Sequence, residues 1–134
     1  MMRDMGRDGP ARIGRGAEEH VAAVLLASGW TVLGRNVRCG RSELDIVCVD
    51  PGPPPCLAVV EVRWRASRSH GLPEETVGRR KTRALREGLG WLLARGSLPD
   101  GTPLPRLAIR LDLVAAEPGP RGGIALRHHR GVMG

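Results

Sequence analysis

The segment from Ser42 to Arg63 carries acidic residues at spacings that could hold a divalent metal ion. It contains two strand-like runs, SELDIVCV and CLAVVEVR, joined by the turn sequence DPGPPP. If this hairpin closes symmetrically about Pro53, Asp45 faces Glu61 across the two strands. Like charges about 5 Å apart are destabilising unless a cation neutralises them. The segment therefore predicts a hairpin that binds a divalent metal ion.

Two simpler interpretations of the hairpin remain open. In the same register Glu43 faces Arg63, so the end of the hairpin could be a solvated ion pair. A register shift of one residue would instead separate Asp45 from Glu61.

A first helix is predicted from about Ala11 to Ser28, and Gly29 ends it. Its apolar stripe collects Ile13, Ala17, Val21, Val24 and Leu25. Glu18 falls within this stripe, where an unpaired acid costs free energy. A glutamate at the edge of the stripe that reaches water is the simpler interpretation.

A second helix is predicted from about Val77 to Arg95, with Thr76 as its N-cap and Gly96 after its end. The angular position of Lys81 puts it on the apolar side of the helix, although the ammonium of such a lysine usually extends to the edge of the apolar stripe. The apolar stripe consists of Val77, Leu85, Leu89, Leu92 and Leu93. The other faces carry basic residues suited to solvent or to phosphate: Arg79, Arg80, Arg83 and Arg86.

The remaining patterns predict an α/β fold. Strands are expected over Trp30–Val37, before a turn at residues 38–41, and over Arg106–Glu117, with an edge strand at Ile124–His129. The order α-β-β-β-α-β predicts a mixed central sheet flanked by helices in one domain over residues 11–116. Residues 1–10 are expected to form a disordered leader and residues 117–134 a basic extension. The loop of residues 64–75 is either solvated or a nucleic-acid contact, through Arg65 and Arg68.

The composition favours an anionic partner. The net charge is +7, which is most simply explained by nucleic acid, in particular DNA. However, all basic residues except Lys81 are arginine, and this usage is also typical of a genome rich in G and C. Three cysteines without a C-x-x-C pair suggest neither a zinc site nor a disulfide framework, and predict buried free thiols. The absence of a signal peptide and of an apolar membrane span predicts a cytoplasmic protein with no membrane partner. The sequence leaves open whether the protein forms a homodimer.

Several ordered motifs between about Ile13 and Ala116 are GRGAEEHVA, SELDIV, VEVR, GLPEETV and RLDLV, with Asn36 at a strand end. Together they resemble the YraN-like family of small bacterial proteins. That family is usually described as predicted endonucleases distantly related to archaeal Holliday junction resolvases. The resemblance implies the restriction-endonuclease-like fold and its PD-(D/E)-x-K site.

The resemblance also implies roles for individual residues. Asp45 and Glu61 would hold Mg²⁺ or Mn²⁺, with Glu18 assisting from the first helix, for hydrolysis of a phosphodiester. Arg63 stands where the family has its signature lysine, and Lys81 matches a second lysine of the family. Ala17 and Ser42 stand where the family has glycines, and both substitutions are mild.

Arg63 makes cleavage the uncertain part of the function. Arginine keeps the positive charge but effectively never deprotonates, so weak or absent cleavage with retained DNA binding is expected. Lys81, on the buried side of its helix, could reach the site and take over the role of the signature lysine. A metal-dependent endonuclease acting on branched or structured DNA is the leading hypothesis. A non-catalytic nucleic-acid-binding module and a protein-interaction domain are the alternatives.

Overall fold

The computed structural model describes residues 4–132, with side chains for residues 16–75 and 77–132. Its elements are α1 (Asp4–Ala27), β1 (Thr31–Cys39), β2 (Ser42–Asp50), β3 (Cys56–Trp64), a short 3₁₀ helix (Pro73–Thr76), α2 (Arg79–Arg95), β4 (Ala108–Pro118) and β5 (Ile124–His129). One sheet contains the strands in the order β1-β2-β3-β4-β5, and only β3 and β4 are parallel. The predicted mixed sheet with two helices is confirmed, and β5 adds the predicted edge strand.

The two helices pack against two separate apolar layers of the sheet. The α1-side core includes Ala17, Val21, Leu25, Ile46, Cys48, Ala58 and Val60. The α2-side core includes Leu44, Val47, Leu57, Val59, Leu85 and Leu92. The cysteines are buried free thiols, as predicted. Within the part of the chain that is described, no helix is long and apolar enough to cross a membrane.

The hairpin of β2 and β3 has the predicted register. Val47 pairs with Val59 and Val49 with Leu57, so the symmetric closure about Pro53 is confirmed for residues 46–60 and the one-residue shift is not. The backbone pairing stops there, so the predicted pairs of Asp45 with Glu61 and of Glu43 with Arg63 are not formed as backbone partners. β1 continues through Cys39, which shortens the turn predicted for residues 38–41.

The helix boundaries differ from the prediction at their N-terminal ends. α1 begins at Asp4 rather than near Ala11, while residues 1–3 and the side chain of Ile13 lie outside the described set. α2 begins at Arg79 with Gly78 as its N-cap, so the prediction of Thr76 as N-cap was wrong. The physical reason is that residues 73–76 form their own 3₁₀ helix, after which the backbone is extended through Gly78.

Two residues assigned to the apolar stripes are exposed. Val24 is 41% exposed and Leu93 is 42% exposed, because each lies at the edge of its stripe. Ala22 takes the buried position next to Val21 on α1.

Candidate active site

The side chain of Asp45 lies where β2 and β3 separate. The paired part of the hairpin ends at Ile46 and Val60. Beyond that point the Oδ2 of Asp45 accepts the backbone N–H of Val62 at 2.8 Å, so the carboxylate takes the place of a backbone acceptor. This bond holds Asp45 against β3 and fixes its direction.

Glu18 and Glu61 both lie within hydrogen-bonding reach of the Asp45 carboxyl group. Burial, followed by the negative charge of Asp45, raises the pKa of Glu18 to about 7 and the pKa of Glu61 to about 8. Glu18 comes from α1, whereas Glu61 lies on β3 and is only 2% exposed. The structure therefore brings these three sequence-predicted acids together, with Asp45 between the other two.

Two cations approach the same oxygen of Glu61. The Nζ of Lys81 and the Nε of Arg63 each lie 3.3 Å from Glu61 Oε2. Lys81 thus faces the sheet from α2, as its angular position on the helix predicts. Arg63 pairs with Glu61 on its own strand and not with Glu43, whose backbone partner is Arg38 on β1.

The donor set fits a hard divalent cation. Glu61 Oε1 is buried and has no hydrogen-bond partner, which leaves one carboxylate oxygen of the site unsatisfied. No group of three His, Cys, Asp or Glu side chains among the described residues forms a ready-made metal cluster. Mg²⁺ is commonly bound by only one or two carboxylates, with waters and substrate phosphate completing its shell. Asp45 and Glu61 match that smaller set.

A basic groove runs beside the first turns of α2. It has a volume of about 680 Å³ and is lined by Val77, Gly78, Arg79, Thr82, Arg83, Arg86 and Glu87. Three of the five predicted nucleic-acid contacts therefore share one surface. A fourth, Arg65, is half-buried at the end of β3.

Arg68, the fifth predicted nucleic-acid contact, has a different position. Its Nε and Nη2 donate to the two carboxylate oxygens of Glu117 at 2.9 and 2.8 Å. The Arg68 side chain is 63% exposed beside this pair, so its contact with nucleic acid stays a prediction.

Glu117 belongs to a network that the sequence analysis missed. Arg127 of β5 contacts Glu117 and binds both oxygens of Glu74, at 2.7 and 2.8 Å. His129 adds a contact to Glu74 at 2.9 Å. The network joins β4 and β5 to the segment that leads into α2, and so anchors the element that carries Lys81. Residues of opposite charge on distant segments gave no signal in the sequence.

A second network involves the RLDLV motif. Arg110 donates to Asp112 at 2.7 and 2.8 Å and to Asp50 at 2.9 Å, and His128 also contacts Asp112. These bonds and the backbone N–H of Gly131 hold the pKa of Asp112 near 2 despite its burial. The motif therefore ties β4 to the end of β2 and to β5.

Comparison with known proteins identifies relatives over most of the chain. The model of the uncharacterised protein family UPF0102 matches residues 17–116. A UPF0102 protein of Symbiobacterium thermophilum is 38% identical over 117 residues, covering 87% of this chain and 91% of the relative. A UPF0102 protein of Anaeromyxobacter dehalogenans is 41% identical over 109 residues, covering 81% of this chain and 74% of the relative. The chain belongs to the UPF0102 family.

Proposed function

We propose that this member of the UPF0102 family is a divalent-metal-dependent nuclease that acts on DNA. The observation that carries the proposal is the position of Asp45 between Glu18 and Glu61, with Glu61 Oε1 buried and unsatisfied. Buried acids that repel one another lower the stability of a fold, and such groups concentrate at functional sites. A cation bound between Asp45 and Glu61 would remove both the repulsion and the unsatisfied oxygen.

Each residue of the site has a role in phosphodiester hydrolysis. When bound, Mg²⁺ or Mn²⁺ supplies a Lewis acid that neutralises phosphate charge and activates a water. Asp45 is held in a fixed direction by the Val62 N–H, and Asp45 and Glu61 would provide oxygen ligands to the ion. Glu18, whose pKa is raised to about 7, can accept a proton near neutral pH. Lys81 places an ammonium beside Glu61, where it can stabilise negative charge on the phosphate.

DNA is the proposed substrate because the basic groove lies on the helix that carries Lys81. Arg79 and Arg83 line this groove and are exposed, so phosphates bound there would lie on the first turns of α2. The net charge of +7 adds a general attraction for a polyanion. Branched or structured DNA is the form implied by the resemblance to resolvases.

A non-catalytic nucleic-acid-binding module is the second candidate, and Arg63 is the observation that favours it. The Nε of Arg63 is buried without a hydrogen-bond partner beside Glu61. A bulky guanidinium at the signature-lysine position can occupy the place of the water that cleavage requires. In that case DNA binding would persist without metal-dependent hydrolysis.

Thermal unfolding with added Mn²⁺ and a plasmid-nicking assay test the proposal together. We expect Mn²⁺ to raise the Tm of the wild type, because only binding to the native state increases stability. Asp45→Asn keeps an oxygen for the Val62 N–H but removes the charge, so it should lose the Mn²⁺-dependent rise. Asp100→Asn, at an exposed loop position, likewise keeps an oxygen for a backbone N–H, that of Thr102; it is the matched control and should respond like the wild type.

The nicking assay compares Mg²⁺, Mn²⁺ and EDTA on supercoiled and branched DNA. Metal-dependent nicking that is lost in Asp45→Asn supports a nuclease. DNA binding with no metal effect on either Tm or nicking would contradict the nuclease proposal and support the non-catalytic module.

A further inference from the structure

The central strand β2 changes the face of its side chains at Asp45. Leu44 packs in the α2-side core, whereas Ile46 packs in the α1-side core. In a regular strand, residues two positions apart point to the same face. The alternation is therefore interrupted at the residue between them, which is the central acid of the proposed site.

The neighbouring strand β1 makes the same change at the same level. Arg35 pairs with Ile46 and Val37 pairs with Leu44, so Asn36 lies opposite Asp45. Val37 packs in the α2-side core, while Arg35 reaches toward Glu19 of α1, at 3.9 Å. Both strands thus exchange faces together at the pair formed by Asn36 and Asp45.

Asn36 has the backbone conformation that produces such a change. Its φ is 50°, and among the described residues no other non-glycine residue has a positive φ. Asparagine tolerates the left-handed region better than most residues, and β-branched residues tolerate it worst. The Asn36 side chain is exposed, so the effect on the sheet comes from the backbone.

The change of face directs the Asp45 carboxylate into the plane of the sheet. There it accepts the Val62 N–H, beyond the last backbone pair of the hairpin. From this in-plane position the carboxyl group is reached by Glu18 and by Glu61. A continuously alternating β2 would place Asp45 on one face only.

We propose that Asn36 is a positioning residue: its left-handed backbone turns β1 and β2 at Asp45 and so places the Asp45 carboxylate between Glu18 and Glu61. The consequence for metal binding rests on the proposed function. The positioning step itself does not, because the hydrogen bond from Val62 reports it without any metal.

Amide hydrogen exchange at Val62 and Mn²⁺ titration of the same variants test the proposal. Asn36→Gly keeps access to positive φ and should keep the Val62 protection and the Mn²⁺ Kd within about twofold of the wild type. Asn36→Val should lower the protection and raise the Kd by about tenfold or more, since a β-branched residue strongly disfavours this conformation. If Asn36→Val does not fold, Asn36→Ala replaces it. Arg38→Val places the same side chain at an exposed β1 position and should behave like the wild type.

The two measurements separate this proposal from the proposed function. Asn36→Val with unchanged Val62 protection would overturn the positioning role. Loss of protection in Asn36→Gly as well would also overturn it, because the side chain rather than the backbone would then be responsible. If the Val62 amide protection changes as expected but the wild type binds no Mn²⁺, the result supports the positioning role and contradicts the metal-dependent function.

Discussion

Lys81 on α2 contacts Glu61 on β3, with 3.3 Å between Nζ and Oε2. Lys81 is the one lysine in the sequence, and its side chain is 32% exposed. The contact therefore brings an ammonium from a helix to the acids of the central strands. Under the proposed function, this ammonium would take the role that the resemblance gives to a lysine at position 63.

The first prediction concerns Lys81. Lys81→Ala should lower metal-dependent DNA cleavage about a hundredfold, the usual effect of removing one group that stabilises transition-state charge. The measurement is the initial rate of plasmid nicking in Mg²⁺. Arg121→Ala, at an exposed position outside the basic groove, serves as the control for lost charge and should retain the rate within about threefold. If Lys81→Ala and the control have equal rates, Lys81 has a structural role only and no role in cleavage.

The sequence predicted the parts of the site that depend on regular periodicity. A rotation of about 100° per residue placed Glu18 and Lys81 on the apolar sides of their helices. Symmetric closure about Pro53 predicted the register of the hairpin. The face change at Asn36 and Asp45 could not be predicted in this way, because both methods assume an uninterrupted repeat. Asparagine at a strand position was the available signal.

Contacts between distant segments were also beyond sequence reasoning. The basic loop around Arg68 predicts either a solvated side chain or a phosphate contact. The structure pairs it with Glu117, a residue from the far end of β4. Charge alone cannot distinguish an arginine that meets a phosphate from one that meets a carboxylate of the same chain.

The second prediction concerns the pH dependence of stability in the absence of metal. The pKa of Glu61 is raised to about 8 in the folded chain, mainly by burial and then by Asp45, so the folded state binds more protons than the unfolded state. The contribution of Glu61 to the free energy of unfolding is therefore largest below its unfolded pKa. It falls as the pH rises toward 8.

Glu61→Gln tests this sign. The variant should match the wild type near pH 5 and exceed it at pH 8 by at least about 1 kcal/mol, since one pKa unit corresponds to about 1.4 kcal/mol. Urea unfolding at several pH values in EDTA measures the difference. Asp100→Asn is the control at an exposed loop position. A Glu61→Gln variant that is less stable than the wild type at pH 8 would mean that the pairs with Lys81 and Arg63 outweigh burial.

The third prediction concerns the basic groove beside α2. If Arg79 and Arg83 contact phosphates, replacing both with alanine should reduce the slope of log K against log salt by about 1.8, or about 0.9 per phosphate contact. Fluorescence anisotropy of labelled duplex DNA at several salt concentrations gives this slope. Replacing Arg106 and Arg121 removes the same charge from exposed positions outside the groove. Equal slopes in the two double variants would place the DNA interface elsewhere.

The fourth prediction concerns Arg63, whose guanidinium shares Glu61 with Lys81. The buried Nε of Arg63 has no hydrogen-bond partner, so the arginine is poorly accommodated beside the acids. Arg63→Lys keeps one positive charge, removes the unsatisfied N–H and leaves more room for water next to Glu61. It should raise metal-dependent cleavage severalfold and leave DNA affinity within about twofold, because the charge available to phosphate is unchanged.

Combining Arg63→Lys with Lys81→Ala shows which ammonium acts in cleavage. If Lys81 already provides this group, the double variant should recover part of the activity lost in Lys81→Ala, because a lysine at position 63 can reach the same Glu61 oxygen as Arg63 does. Nicking rates of the four proteins in the cycle, measured in Mg²⁺ and Mn²⁺, give the coupling between the two positions. Purely additive effects would show that the two cations act independently, and an unchanged rate in Arg63→Lys would show that the arginine does not limit cleavage.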